Sequence, residues 1–103
     1  MIFSKRAKIE QINRAKVEAF MKDKSVKRQF IDVRSPMEFN SNKVKGFKNI
    51  PLDSLKTRLN ELDQEQAVIL ICASGSRSFF AGRVLAKAGF TELYNVQRGM
   101  MEF

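Results

Sequence analysis

The chain has 103 residues, enough for one domain with its own core, and its 44% hydrophobic content is typical of a globular protein. Its single cysteine and its lack of histidine exclude an internal disulfide, a paired-cysteine metal site, histidine-ligated metals and every catalytic triad or dyad that depends on histidine. The formal net charge is +8, and residues 1–28 hold nine basic and three acidic side chains, so +6 of this excess lies there.

This basic N-terminal region is interpreted as the solvated face of an amphipathic helix. Neither interleaved aromatic residues nor an RNA-binding motif accompanies the charges, so a specific nucleic-acid partner is not expected, and attachment to an anionic membrane surface is the weaker interpretation. No apolar stretch reaches the about 18–20 residues of a membrane helix, and none resembles the hydrophobic region of a signal peptide. We therefore expect a cytoplasmic monomer that needs no metal and no cofactor.

In chain order, the first expected feature is a basic, flexible extension over residues 1–11. A helix then begins after Asn13, which is a favourable N-cap, and Ile12 and Val17 are spaced to form a hydrophobic staple across its start. Residues 29–33 are rich in β-branched and aromatic side chains, which predicts a strand. The first third of the chain is therefore predicted to form a helix followed by a strand.

Short elements follow in the middle of the chain. Ser35 and Pro36 predict a turn or short helix, because serine can cap a helix and proline fits its first position. Residues 47–51 predict a brief strand that ends at its proline. A helix capped by Asp53 is then predicted from leucines at helical spacing: Leu52, Leu55, Leu59 and Leu62.

The last part of the chain predicts two strands around a helix. Ala67–Ile71 is apolar throughout, as expected of a central parallel strand that is covered on both faces. Residues 79–88 predict a helix that ends at Gly89 in a left-handed conformation, and residues 93–96 predict the last strand. The helix residues expected to be buried are Ala81, Val84, Leu85 and Ala88. Alternating strands and helices predict an α/β fold, a small central parallel β-sheet flanked by helices on both faces.

Cys72 lies where the buried strand ends and this helix begins. Ligands of parallel sheets bind at the carboxyl ends of strands. The free backbone N–H groups and the dipole of a helix start also favour the thiolate, which is the reactive form of cysteine. Cys72 is therefore predicted to be a nucleophile rather than a buried packing residue.

Several motifs in register resemble a single-domain rhodanese. They are residues 30–34, Glu38-Phe39, residues 49–52, Cys72-x-x-Gly75-x-Arg77-Ser78, Gly89-Phe90 and residues 94–96. The resemblance implies one rhodanese-like domain over residues 1–103 and sulfurtransferase chemistry. In that family the loop cysteine takes a sulfane sulfur from a donor such as thiosulfate, holds it as a persulfide, and passes it to cyanide, a protein thiol or another thiophilic acceptor.

The segment after the cysteine is predicted to bind the anionic donor. Ala73, Ser74, Gly75 and Ser76 have small side chains or none, so their backbone amides can turn inward around an anion. Arg77 adds a permanent charge and a planar fork that suits oxyanions.

Four further side chains have expected supporting roles. Ser78 either donates a hydrogen bond at the site or caps the helix. Asp32 and Arg34 end the neighbouring strand, where they are predicted to orient the loop through hydrogen bonds. Glu38 is expected to be the structural partner of a nearby arginine.

Three other functions are weighed against sulfur transfer. Cysteine phosphatases use Cys-x5-Arg, whereas this chain has the shorter Cys-x4-Arg and lacks an evident general-acid aspartate, so a phosphatase is disfavoured. Arsenate reduction needs a second cysteine, which the chain lacks. A non-catalytic or sulfur-carrier module that acts through a protein partner stays open, because many thiosulfate-using members have a basic residue where this chain has Ala73. The expected partners are a small anionic sulfur donor and a protein thiol or other sulfur acceptor.

Overall fold

Five strands form one sheet in the computed structural model, which describes residues 7–103. They are β1 (Ile9–Ile12), β2 (Arg28–Asp32), β3 (Lys48–Asn49), β4 (Ala67–Ile71) and β5 (Leu93–Val96). Their order across the sheet is β1-β5-β4-β2-β3, and every neighbouring pair is parallel. The all-apolar strand β4 is central and completely buried, as its sequence predicts.

Three α-helices and three 3-10 helices connect and cover the strands. The α-helices are α1 (Arg14–Lys22), α2 (Pro36–Ser41) and α3 (Ser76–Lys87). The 3-10 helices span Leu52–Thr57, Leu59–Glu61 and Gly99–Glu102. Among residues 7–103, no helix has the length and apolar character needed to cross a membrane.

The two faces of the sheet pack against different helices. Side chains alternate along β4, so Val68 and Leu70 join the cluster beneath α3, whereas Ile69 and Ile71 join the cluster that includes Val17 of α1. Cys72, which continues the alternation, lies on the α3 side. The prediction of a parallel sheet with helices on both faces is confirmed.

The capping residues in the sequence correctly predict the start of α1 and the end of α3. The Asn13 side chain accepts a hydrogen bond from the Lys16 amide at 3.0 Å at the start of α1. At the end of α3, Gly89 has φ +102°, and the Phe90 amide donates to the Leu85 carbonyl oxygen at 3.0 Å. This is the six-to-one bond of a Schellman motif. Both predictions are confirmed.

Part of the predicted N-terminal extension is a strand instead. Residues 9–12 form edge strand β1, whose register pairs Ile9 with Leu93 and Ile12 with Val96. The predicted extension therefore does not include this strand, and residues 1–6 lie outside the described part of the chain. β1 also changes the buried face of α3: a Cβ at Gly82 would lie 2.9 Å from Ile9 Cδ1.

Two helix predictions need correction. The four leucines lie in or beside two 3-10 helices rather than one α-helix, and Asp53 caps neither of them. Leu55 is nevertheless fully buried and the other three pack against the core, because the tighter helix turns them to the same side. Helix α3 begins at Ser76, earlier than predicted. It buries Ala81 and Leu85 as predicted. The other two predictions of burial are wrong, because Val84 is half-buried and Ala88 is exposed, whereas Gly82 and Ala86 are buried in their place.

Candidate active site

The loop that carries Cys72 joins the end of β4 to the start of α3. Gly75 occupies the N-cap position of α3 with φ +102°. A Cβ at this position would lie 1.9 Å from the Gln97 carbonyl oxygen. Both the left-handed conformation and the close contact require glycine at position 75. Glycine therefore allows this turn of the loop to pack directly against Gln97, which follows β5.

The C-terminal 3-10 helix supports the loop from behind. The Met100 amide donates a hydrogen bond to the Cys72 carbonyl oxygen at 2.9 Å. Gly99 has φ +56°, and a Cβ there would lie 2.3 Å from the same oxygen. Gly99 was not predicted as part of the site, although a glycine three residues after the last strand is a signal for such a close backbone approach.

The Cys72 sulfur is surrounded by hydrogen-bond donors. Its Sγ accepts from the Gly75 amide at 3.2 Å and the Ser78 amide at 3.2 Å, and it lies 3.3 Å from Ser78 Oγ. Burial raises the pKa of the Cys72 thiol. Hydrogen bonds from the Ser78 hydroxyl and from the loop amides lower that pKa by more, so the net direction is downward. Such a shift favours the thiolate that the sequence analysis predicts.

The same sulfur has no contact with solvent. Cys72 is 0% exposed, whereas Ser74 and Ser76 of the loop are exposed and Ala73 is half-buried. A reagent therefore reaches Sγ only when part of the loop moves aside. Because the loop has only small side chains, little protein lies between the Cys72 sulfur and solvent.

Arg77 binds a carboxylate rather than the sulfur. Its guanidinium donates two parallel hydrogen bonds to Glu38, with N–O distances of 2.8 and 2.9 Å. Hydrogen bonds from Arg77 and from the Ser35 amide lower the pKa of Glu38 to about 2. The prediction that Glu38 partners an arginine is confirmed. The positive charge of Arg77 lies beside the loop but is partly offset by this carboxylate.

Asp32 and Arg34 form a buried ion pair with an N–O distance of 2.8 Å. Arg34 also donates to the Asn42 carbonyl oxygen at 2.6 Å, which ties the end of β2 to the end of α2. Within residues 7–103, the side chains of this pair make no hydrogen bond to the cysteine loop, in contrast to the prediction. The pair instead holds α2, the helix that carries Glu38.

Ser78 and Asn95 place two buried polar side chains beside the sulfur. Ser78 lies inside the first turn of α3 and is not its cap, so of its two expected roles only the hydrogen-bonding one remains. Its hydroxyl contacts the Asn95 side-chain oxygen, and Asn95 in turn donates to Gln11 of β1. Asn95 and Gln11 were missed from sequence. A polar residue inside an otherwise apolar strand was the available signal for Asn95.

Two curated proteins are similar to this chain in sequence. The uncharacterized protein YqhL of Bacillus subtilis is 43% identical over 77 residues, which are 75% of this chain and 61% of that protein. The putative sulfur carrier protein YrkF of the same organism is 35% identical over 89 residues, 84% of this chain and 48% of that protein. The chain thus spans about half to three-fifths of the length of these relatives.

The fold has close structural counterparts as well. A rhodanese-like domain protein from Staphylococcus aureus superposes with a TM-score of 0.82 at 26% identity, covering 91% of this chain and 90% of that one. The family model of the Rhodanese-like domain matches residues 13–103. The resemblance drawn from the motifs is therefore confirmed, and this chain belongs to the rhodanese-like domain family of sulfur-transfer proteins.

Proposed function

We propose that this protein transfers sulfane sulfur through a persulfide on Cys72. The observation that carries the proposal is the ring of donors around Sγ, formed by the Gly75 and Ser78 amides and the Ser78 hydroxyl. A thiolate held in this way is a nucleophile, and the family to which the chain belongs performs sulfur transfer.

The reaction takes place in two displacement steps. The Cys72 thiolate attacks the outer sulfur of the donor, a Cys72 S–S bond forms, and the S–S bond of the donor breaks. The leaving group departs with the bonding electron pair, as sulfite from thiosulfate or as a thiolate from a persulfide. An acceptor thiolate or cyanide then attacks the outer sulfur of the persulfide and restores the Cys72 thiolate. No redox cofactor is needed for either step.

The loop amides suit each charged state of this cycle. Thiolate and persulfide are both anions, and inward-facing amides at a helix start stabilise anions without a counter-ion. Arg77 is the basic residue nearest to Cys72 in the sequence. An anionic donor that binds the Arg77 guanidinium must compete with the Glu38 carboxylate. Since Cys72 is completely buried, we propose that residues 73–77 move when the donor enters.

A second candidate function, sulfur exchange with a protein partner, is favoured by two features of the chain and by one relative. Ala73 follows the cysteine where a basic residue would assist a small divalent anion. Met37, next to Glu38 in α2, is 83% exposed, so a large apolar side chain is available to a protein on the helix that binds Arg77. One relative is named as a putative sulfur carrier. In this form of the proposal the donor is a protein persulfide and the Cys72 chemistry is unchanged.

Intact-mass spectrometry tests the proposal. The protein is incubated separately with thiosulfate, with a small-molecule persulfide and with a persulfide-loaded desulfurase. We expect the gain of one sulfur atom, its removal by cyanide with release of thiocyanate, and no gain in the Cys72→Ser variant. Uptake from the protein donor alone identifies the carrier form.

A Cys72 that is alkylated but gains no sulfur from any of the three donors contradicts the proposal and leaves a binding module. Hydrolysis of an aryl phosphate that depends on Cys72 would restore the phosphatase alternative. Both outcomes are read on the same purified protein.

A further inference from the structure

Three acceptors surround the single hydroxyl proton of Ser78. Its Oγ lies 3.3 Å from Cys72 Sγ and 3.3 Å from the Gly75 carbonyl oxygen, and its shortest contact is with the side-chain oxygen of Asn95. Ser78 is 0% exposed and Asn95 is 1% exposed. A hydroxyl donates one hydrogen bond at a time, so these buried acceptors compete for one proton.

The orientation of the Asn95 amide is fixed by the bonds that it donates. Its Nδ2 donates to Gln11 Oε1 at 2.8 Å and to the Gly75 carbonyl oxygen at 3.1 Å. Both amide protons are thereby used, and the remaining oxygen faces Ser78. An amide oxygen only accepts hydrogen bonds, so the contact between Ser78 and Asn95 requires the Ser78 proton.

We propose that Asn95 is a positioning residue that draws the Ser78 hydroxyl proton away from the Cys72 sulfur and so limits the stabilisation of the thiolate. When the sulfur is protonated, its S–H donates to Ser78 and Ser78 donates to Asn95, which satisfies all three groups. When the sulfur is ionised, thiolate and amide oxygen compete for one donor. The inference rests on the proposed role of Cys72 as the sulfur-accepting nucleophile.

This competition has a chemical consequence for sulfur transfer. Hydrogen bonds to a thiolate lower its pKa, but the intrinsic nucleophilicity of a thiolate falls as its pKa falls. The loop amides already favour ionisation of Cys72. By competing for the Ser78 proton, Asn95 weakens the hydroxyl bond to the sulfur without removing it. The thiolate is then held mainly by the amides and is more nucleophilic than a thiolate with the full hydroxyl bond would be.

A thiolate titration of four proteins tests the inference: the wild type, Asn95→Leu, Ser78→Ala and the double variant. Leucine is close to asparagine in size and removes the competing oxygen. Ultraviolet absorbance reports the thiolate directly, because the chain has one cysteine and no tryptophan. Its one tyrosine does not interfere below strongly alkaline pH, because burial and Glu92 raise the pKa of Tyr94 to about 12. No sulfur donor is present, so the result is independent of whether sulfur transfer occurs.

We expect Asn95→Leu to lower the pKa of Cys72 and to increase the thiolate population below that pKa about two- to tenfold, the worth of one hydrogen bond. In the Ser78→Ala background the same substitution leaves the pKa unchanged, which a merely structural role would not produce. An unchanged or raised pKa in the single variant overturns the inference, as does an equal shift in both backgrounds. If Asn95→Leu does not fold, Asn95→Ala removes the same oxygen and is judged by the same comparison.

Discussion

The guanidinium of Arg77 and the carboxylate of Glu38 are joined by two parallel hydrogen bonds, although 39 positions separate them in the chain. The pair connects the first turn of α3 to α2 and is just over one-third exposed on each side. It therefore holds the helix that follows the cysteine loop while leaving Arg77 open to exchange. We expect two properties of the protein to depend on this contact: the change of its stability with pH and the electrostatic field at the Cys72 sulfur.

Glu38→Gln tests both properties. Because the pKa of Glu38 is lowered in the folded state, to about 2, its contribution to stability is present above the ordinary glutamate pKa and is lost as the pH falls toward 2. We expect the substitution to lower the free energy of unfolding by about 0.5–1 kcal/mol at neutral pH, as for a partly exposed pair, and by clearly less near pH 2, where the carboxylate becomes protonated. Urea denaturation at both pH values measures this.

The same variant leaves the charge of Arg77 uncompensated, so alkylation of Cys72 by iodoacetamide is expected to be faster at neutral pH. Glu18→Gln is the matched control, because Glu18 forms a comparable surface pair with Arg14 in α1. A slower alkylation in Glu38→Gln, or an equal change in Glu18→Gln, would show that the pair does not act on the sulfur.

Ser78→Ala removes the one side-chain donor that residues 7–103 place at the Cys72 sulfur. We expect the pKa of Cys72 to rise and its alkylation rate at neutral pH to fall about two- to fivefold, since the two amide bonds remain. Ser76→Ala provides the control, because the Ser76 side chain is exposed two positions earlier in the same helix turn. Equal rates for wild type and Ser78→Ala would remove the hydroxyl from the account.

Gly75→Ala tests the required backbone of the loop. Its left-handed φ and its 1.9 Å approach to the Gln97 carbonyl oxygen should together lower stability by about 2–4 kcal/mol and slow sulfur uptake. Gly46→Ala is a close control, because Gly46 has φ +101° but its added Cβ meets only the flexible end of Met21. Its expected loss is about 1 kcal/mol in urea denaturation. Equal losses in the two variants would mean that the contact with Gln97 contributes nothing.

Burial of the sulfur predicts that alkylation occurs through a rapid, minor opening of the loop, which lowers the rate but leaves it proportional to the thiolate population. We expect alkylation of native Cys72 to be much slower than alkylation in denaturing urea, and to slow further with bulky maleimides. Urea concentrations below the unfolding transition should change the alkylation rate of Cys72 little. Urea acts in proportion to the surface that becomes exposed, and a local opening of the loop exposes much less surface than unfolding does. A native rate as fast as that of the unfolded chain would show that the sulfur is open to solvent.

Sequence analysis was most reliable where local chemistry decides the structure. Asn13, Gly89 and the uniformly apolar Ala67–Ile71 are signals read within a few residues, and they placed α1, the end of α3 and β4. Cys72 followed from its position between two such elements. These features require no knowledge of distant parts of the chain.

The errors concern features that depend on distant partners. Strand β1 is short and half polar, and it forms only because β5 offers an open edge more than 80 residues later. The link from Gln11 through Asn95 to Ser78 joins three elements that only the folded sheet brings together. No periodicity in the sequence reports such contacts.

The pKa of Cys72 in the wild-type protein shows whether the loop holds this sulfur as a thiolate nucleophile. It is measured from the pH dependence of iodoacetamide alkylation, with the unfolded chain as reference. We expect an apparent pKa below that of the unfolded chain, since the hydrogen bonds to the sulfur outweigh the effect of its burial. An apparent pKa equal to or above the unfolded value would contradict it.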